Sequence, residues 1–145
     1  MTALDTAQPV ALEWSDEYRT GHDAIDDDHK KLFALVNRLG AAVAAHDDPA
    51  VREVIKELLD YTVYHFGKEE VVMRRFRYTN FLAHKRMHDD FVREVATARD
   101  RLIGSAKTGL IPDTLVRFLC DWLSNHILKM DKDLGRHIIA HLHAA

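Results

Sequence analysis

"FLAHKRMHDDF", residues 81–91, decides how the chain is read. Phe81, His84, His88 and Phe91 fall three, four and three residues apart, which is the rhythm of one helix face. Val95, Ala98 and Leu102 prolong the same apolar stripe. The segment therefore predicts a helix to about Ile103, and it sets two imidazoles on the face built to meet a core.

Three more stripes flank it. One carries Ile25, His29, Leu32, Phe33, Val36, Leu39 and Val43 and fades at Ala45. HDDPA (46–50) then reads as a break, with Asp48 as N-cap and Pro49 at the first helical position. The next stripe carries Val54, Leu58, Tyr61, His65, Glu69 and Val72 and should end near RFRYTN (75–80). After the opening segment, GSAKTGLIPD (104–113) reads as a loop, and a last stripe carries Leu115, Leu119, Trp122, His126 and Met130. No strand-like alternation interrupts the pattern. The expectation is an all-α fold, an up-down-up-down four-helix bundle forming one domain over 1–145. An N-terminal arm (1–20), pinned by Trp14 and Tyr18, and a short C-terminal tail (135–145) complete it.

Composition narrows the classes. A chain of 145 residues with 47% hydrophobic content can bury a full core. A net charge of -3 without a basic run argues against nucleic acid as partner. No apolar run approaches the roughly 18 residues of a membrane span, and MTALDTAQPVALEW has no secretory h-region. One cysteine, Cys120, makes no internal disulfide, which agrees with a cytoplasmic location. Ten histidines against two tryptophans are the oddity.

The histidines interrupt every stripe: His29 in the first, His65 with Glu69 in the second, His84 with His88 in the third, and His126 in the fourth. Residues four apart are rotated only about 40° and raised about 6 Å, so each such pair aims at one point. A lone histidine on an apolar face is ordinarily a core residue hydrogen-bonded to a neighbour, and a lone HxxxH pair is common by chance. Five histidines with carboxylates on four apolar faces are another matter, because burying them costs several kcal/mol unless they are satisfied together. A metal in the bundle interior satisfies them at once. The last carboxylate is left open by spacing. Asp131, five after His126, is about 140° away on an ideal helix, while Asp133 is nearly eclipsed but climbs about 10 Å.

The stretches DDDHKKLF (26–33), HFGKEEVVM (65–73), HKRMHDDF (84–91) and WLSNHILKMD (122–131), with Trp14 and the run from Tyr18 to Asp26, together resemble the hemerythrin family in its single-domain bacterial form. The likeness runs from about residue 12 to 133. It implies two irons per chain, joined by a hydroxo or oxo bridge, with dioxygen as ligand. His84, His88 and His126 would hold one iron and His29 and His65 the other, with Glu69 and Asp131 bridging, and Asp133 would be a solvated charge. With the bridging hydroxide, these ligands leave one position open on the iron held by two histidines. Leu123 would lie beside the oxygen site, with Trp122 packed nearby. The resemblance implies reversible oxygen binding rather than enzymatic turnover, for storage, delivery or supply to an oxygen-consuming enzyme. The alternatives are a di-iron enzyme handling peroxide or nitric oxide, and an oxygen or iron sensor, for whose signalling domain 145 residues leave no room. His137, His141 and His143 fall outside the matching stretches and are expected to be dispensable. His137 and His141 read as a solvated pair, and His22 and His46 as exposed loop residues.

Overall fold

Each apolar stripe folds as a helix and turns inward. The computed structural model describes residues 11–103 and 113–143. It contains helices α1 (Asp23–Ala44), α2 (Asp48–Arg75), α3 (Phe81–Leu102) and α4 (Asp113–His126). α4 runs on through a π-helical turn, Ile127–Asp131, into α5 (Lys132–His143). No strand occurs among the described residues. α1 packs on α2 and α4, and α3 packs on the same two, which closes an up-down-up-down bundle. Leu32, Val36, Leu39, Leu58, Phe91, Val95, Leu119 and Leu123 are buried between the four. The expected loop at 104–113 lies outside the described residues except for Asp113, which opens α4.

Local chemistry sets the helix ends. The N-cap of α2 is Asp47, whose carboxylate accepts from the Ala50 amide at 3.2 Å, so the cap stands one residue earlier than Asp48 and Pro49 stands second in the helix. α1 ends with His46 at φ 53° and α2 with Arg77 at φ 52°. In both cases the amide beyond reaches back five residues, Asp47 to Ala42 at 3.0 Å and Tyr78 to Met73 at 2.9 Å. These are left-handed Schellman ends that satisfy last-turn carbonyls, made with side chains larger than the usual glycine.

Of the expected N-terminal arm, residues 1–10 lie outside the described residues, and the part from Leu12 to Tyr18 is pinned to the bundle. The rings of Trp14 and Tyr18 lie 5.5 and 5.0 Å from that of Phe33. Leu12 and Asn37 exchange two hydrogen bonds at 2.7 and 2.8 Å, and the Tyr18 hydroxyl meets Ser124 Oγ at 2.8 Å.

The C-terminal tail is helical and docked. Leu134 and Ile138 are buried with Met73 and Tyr78 in a second, smaller core. Gly135 lets the chain pass close to the arm, since a Cβ there would stand 2.3 Å from the Thr20 carbonyl oxygen. The solvated reading of two histidines is corrected here: His137 Nε2 lies 2.9 Å from the Phe76 carbonyl, and half-buried His22 approaches the Gly135 carbonyl at 3.2 Å. His46, His141 and His143 are exposed.

A docked tail contributes stability even if the iron content and oxygen spectrum do not depend on it. Ending the chain after Leu134 removes buried Ile138 and the His137 bond. Ile138→Ala alone should cost roughly 2–5 kcal/mol, and each kcal/mol is worth about 2–4 °C of Tm. Thermal unfolding followed by circular dichroism should show both variants melting clearly below the full chain. Equal melting temperatures would show that the docking contributes no stability.

Candidate metal centre

The six polar side chains that interrupt the stripes converge, and Asp131 joins them. His29, His65, Glu69, His84, His88, His126 and Asp131 are each at most 2% exposed. Their donor atoms form two groups, each lying within 4.8 Å: His84, His88, His126, Glu69 and Asp131 in one, and His29, His65 and Glu69 in the other.

The two carboxylates link the groups, each with one oxygen towards each side. Glu69 Oε2 lies 2.7 Å from His65 Nε2 and 3.3 Å from His29 Nε2, while Oε1 lies 3.1 Å from His88 and 3.5 Å from His84. Asp131 Oδ1 lies 2.9 Å from His84 and 3.2 Å from His126, while Oδ2 lies 3.0 Å from His29. Five imidazoles therefore divide three against two about a pair of split carboxylates.

Asp131 reaches the cluster because of the π turn. On an α-helix it would point away from His126, but a π turn carries one extra residue and stacks positions five apart. Asp133, nearly eclipsed with His126 on an ideal helix, faces elsewhere and accepts a hydrogen bond from the Tyr78 hydroxyl. It is not simply a solvated charge.

Two carboxylates outside the seven were not singled out by sequence. Asp28 Oδ2 lies 2.9 Å from His65 Nδ1, and Glu70 Oε2 lies 3.0 Å from His88 Nδ1. An imidazole that donates Nδ1–H outward presents its Nε2 lone pair inward, which is how metal-ligating histidines are commonly oriented. The only sequence signal was adjacency, since Asp28 precedes His29 and Glu70 follows Glu69.

Aromatic rings wall one side. Phe66 stacks on His88 at 3.9 Å and Trp122 on His126 at 4.4 Å, with Phe91 4.7 Å from Trp122. Trp122 thus makes its ring contacts at the three-histidine group. Leu123 is sealed in the core at 1% exposure. A pocket of about 140 Å³, half open to solvent, is lined by His65 and Glu69 with Ala24, Ile25, Asp28, Lys68 and Val72.

The cluster suits a cation better than itself. Buried Nε2 atoms of His65, His84, His88 and His126, with Glu69 Oε1 and Asp131 Oδ1, have no hydrogen-bond partner. Protons move to compensate. Burial opposes the charge on His29, yet Asp131 and Glu69 push its pKa up to about 10. His84 is likewise buried, and the same two carboxylates raise it to about 9. Burial pushes His126 down towards the neutral form. Although burial works against ionisation, the neighbouring histidines hold both Glu69 and Asp131 well below the usual carboxylate range. Imidazole and carboxylate donors of this kind fit a first-row transition metal.

Comparison with known proteins finds relatives over most of the chain. Residues 20–138 match the family model described as the hemerythrin HHE cation binding domain, a span that continues past Gly135 into α5. A bacteriohemerythrin of Pseudomonas aeruginosa is 37% identical over 134 residues, covering 90% of this chain and 86% of the relative. One of Methylococcus capsulatus is 38% identical over 120 residues, covering 82% and 89%. A solved wild-type hemerythrin is 34% identical, covers 88% of this chain and 97% of its own, and superposes with a TM-score of 0.79.

The raised histidines predict a pH-dependent metal affinity. Protons held on His29 and His84 to about 10 and about 9 must leave when a cation takes those nitrogens. Affinity for ferrous ion should therefore climb as pH rises towards that range, and anaerobic loading of the metal-free chain at pH 7 should acidify a weakly buffered solution. Loading with no proton release is the contrary result.

Proposed function

Because the chain belongs to the hemerythrin family, we propose that it is a single hemerythrin-like domain that binds dioxygen reversibly at a non-haem di-iron centre. His29, His65, Glu69, His84, His88, His126 and Asp131 are the proposed ligands. The split of the two carboxylates carries the reading. Glu69 and Asp131 each turn one oxygen to the three-histidine group and the other to the two-histidine group, as a bridge between two cations does. One ion would leave one group's buried nitrogens unpaired.

Two ferrous ions held here would supply the electrons that bind dioxygen and take them back on its release. The chain's own part is to hold, orient and exclude. Five imidazoles present neutral donors, with Asp28 and Glu70 steadying His65 and His88 from outside. The ligand count leaves its open position at the two-histidine group, under Leu123. Leu123 keeps water out of the oxygen site, and Trp122 acts through His126, on which it stacks. Binding is favoured over turnover because the ligands are mostly neutral imidazoles and the sequence has no Glu-x-x-His pair of the ferritin-like kind. Among the described residues no helix is long and apolar enough to cross a membrane. Storage, delivery or supply of oxygen to a consuming enzyme in the cytoplasm are the roles such binding serves.

Metal analysis of protein made in iron-replete cells should find close to two irons per chain, and a single iron in fully loaded protein would defeat the di-iron reading. The reduced protein should be nearly colourless, gain a visible band in air, and lose it under argon. Leu123→Phe should slow or block that cycle without releasing iron. Leu123→Ser should admit water and hasten decay to a form argon cannot reverse. If the wild-type chain never returns to its starting spectrum, even in the cold, a di-iron enzyme becomes the better account.

A further inference from the structure

We infer that Asp28 and Glu70 are positioning residues, one for each histidine group, and that Asp28 works as the centre of a clamp with Tyr61 and Lys68 that secures the two-histidine metal position. The inference rests on the di-iron reading above.

The two arrangements are parallel in plan and different in detail. Each takes one imidazole by Nδ1, at 2.9 Å from Asp28 to His65 and 3.0 Å from Glu70 to His88. Each carboxylate is mostly shielded, with side-chain exposures of 16% and 14%. Held this way, His65 and His88 keep Nε2 pointed inward, and negative charge behind the ring strengthens that nitrogen as a donor.

Asp28 is the more tightly held of the two. Its Oδ1 accepts from the Tyr61 hydroxyl at 2.8 Å, and its Oδ2 accepts from Lys68 at 2.8 Å as well as facing His65. Tyr61, His65 and Lys68 stand on successive turns of α2, while Asp28 comes from α1. The clamp therefore ties the two helices together beside His29 and His65, and the Tyr61 ring lies parallel to that of His65 with centroids 6.4 Å apart. His29 has no such carboxylate, and its Nδ1 is buried without a partner. Nδ1 of His84 and Nδ1 of His126 are likewise unpartnered, so each group has one outward-braced imidazole, His65 in one and His88 in the other. The two-histidine position has fewer donors than its neighbour, so loss of its brace should be felt there first.

The test is a chelator challenge of the anaerobic, iron-loaded full chain, following iron loss with time. The wild-type chain should release iron in two phases. Asp28→Asn, which keeps size but removes the charge, should speed one phase by roughly 10–100-fold and leave the other in place. Glu70→Gln should speed the other phase instead. A general loss of stability would accelerate both phases together in either variant, so that result overturns the assignment while leaving two irons standing. Unchanged phases in Asp28→Asn overturn it equally. If Asp28→Asn does not fold, Tyr61→Phe, which frees one side of the clamp, should speed the same single phase by a smaller factor, and no effect there counts against the inference. A wild-type chain that holds only one iron removes the di-iron reading and this inference with it.

Discussion

Everything in this structure answers to the burial of five imidazoles and two carboxylates at the centre of a bundle. Such a group is tolerated in a low-dielectric interior only when its charges and lone pairs meet each other or a cation. Here they meet each other only in part. The carboxylates lie against the histidines, and several inward nitrogens have no hydrogen-bond partner at all. A set of donors arranged so that their own hydrogen bonding is incomplete is a set arranged for a metal.

The scaffold meets that demand by bringing one or two donors from every long helix. A single helix could align a pair at i and i+4, as α2 does with His65 and Glu69 and α3 with His84 and His88. Only packing four helices closes the pairs into a shell. The aromatic residues then act as spacers that hold imidazole planes, Phe66 against His88 and Trp122 against His126. The arm and α5 contribute from outside. Tyr18 is tied to Ser124 on α4, and Gly135 lies against Thr20, whose hydroxyl and amide hold buried Asp26 at the start of α1.

The centre is also asymmetric. The three-histidine group is closely backed by Phe66 and Trp122, whereas the two-histidine group has the more distant Tyr61 ring and a half-open pocket that Asp28 and Lys68 help to line. That contrast is a property of the surroundings rather than of the ligands.

The sequence by itself determined the helices and the donors that their stripes carry. Periodicity is written locally, so His29, His65, Glu69, His84, His88 and His126 could be placed on inward faces without knowing what faced them. Asp131 was named through family likeness alone, because an ideal helix turns it away from His126. The π turn at Ile127–Asp131 supplies the missing rotation, and its extra residue is stable only where the ends it joins are both held, by the cluster on one side and the docked α5 on the other. The outward braces were invisible for a related reason. Asp28 and Glu70 look like ordinary solvated charges on charged helix faces, and their partners, His65 and His88, lie on a neighbouring helix. The same holds for His137 in the tail, which reads as solvated until the Phe76 carbonyl is brought beside it. Spacing along one chain fixes which side of a helix a residue occupies. What that side meets, and whether a helix must depart from α geometry to meet it, is decided only when the helices pack.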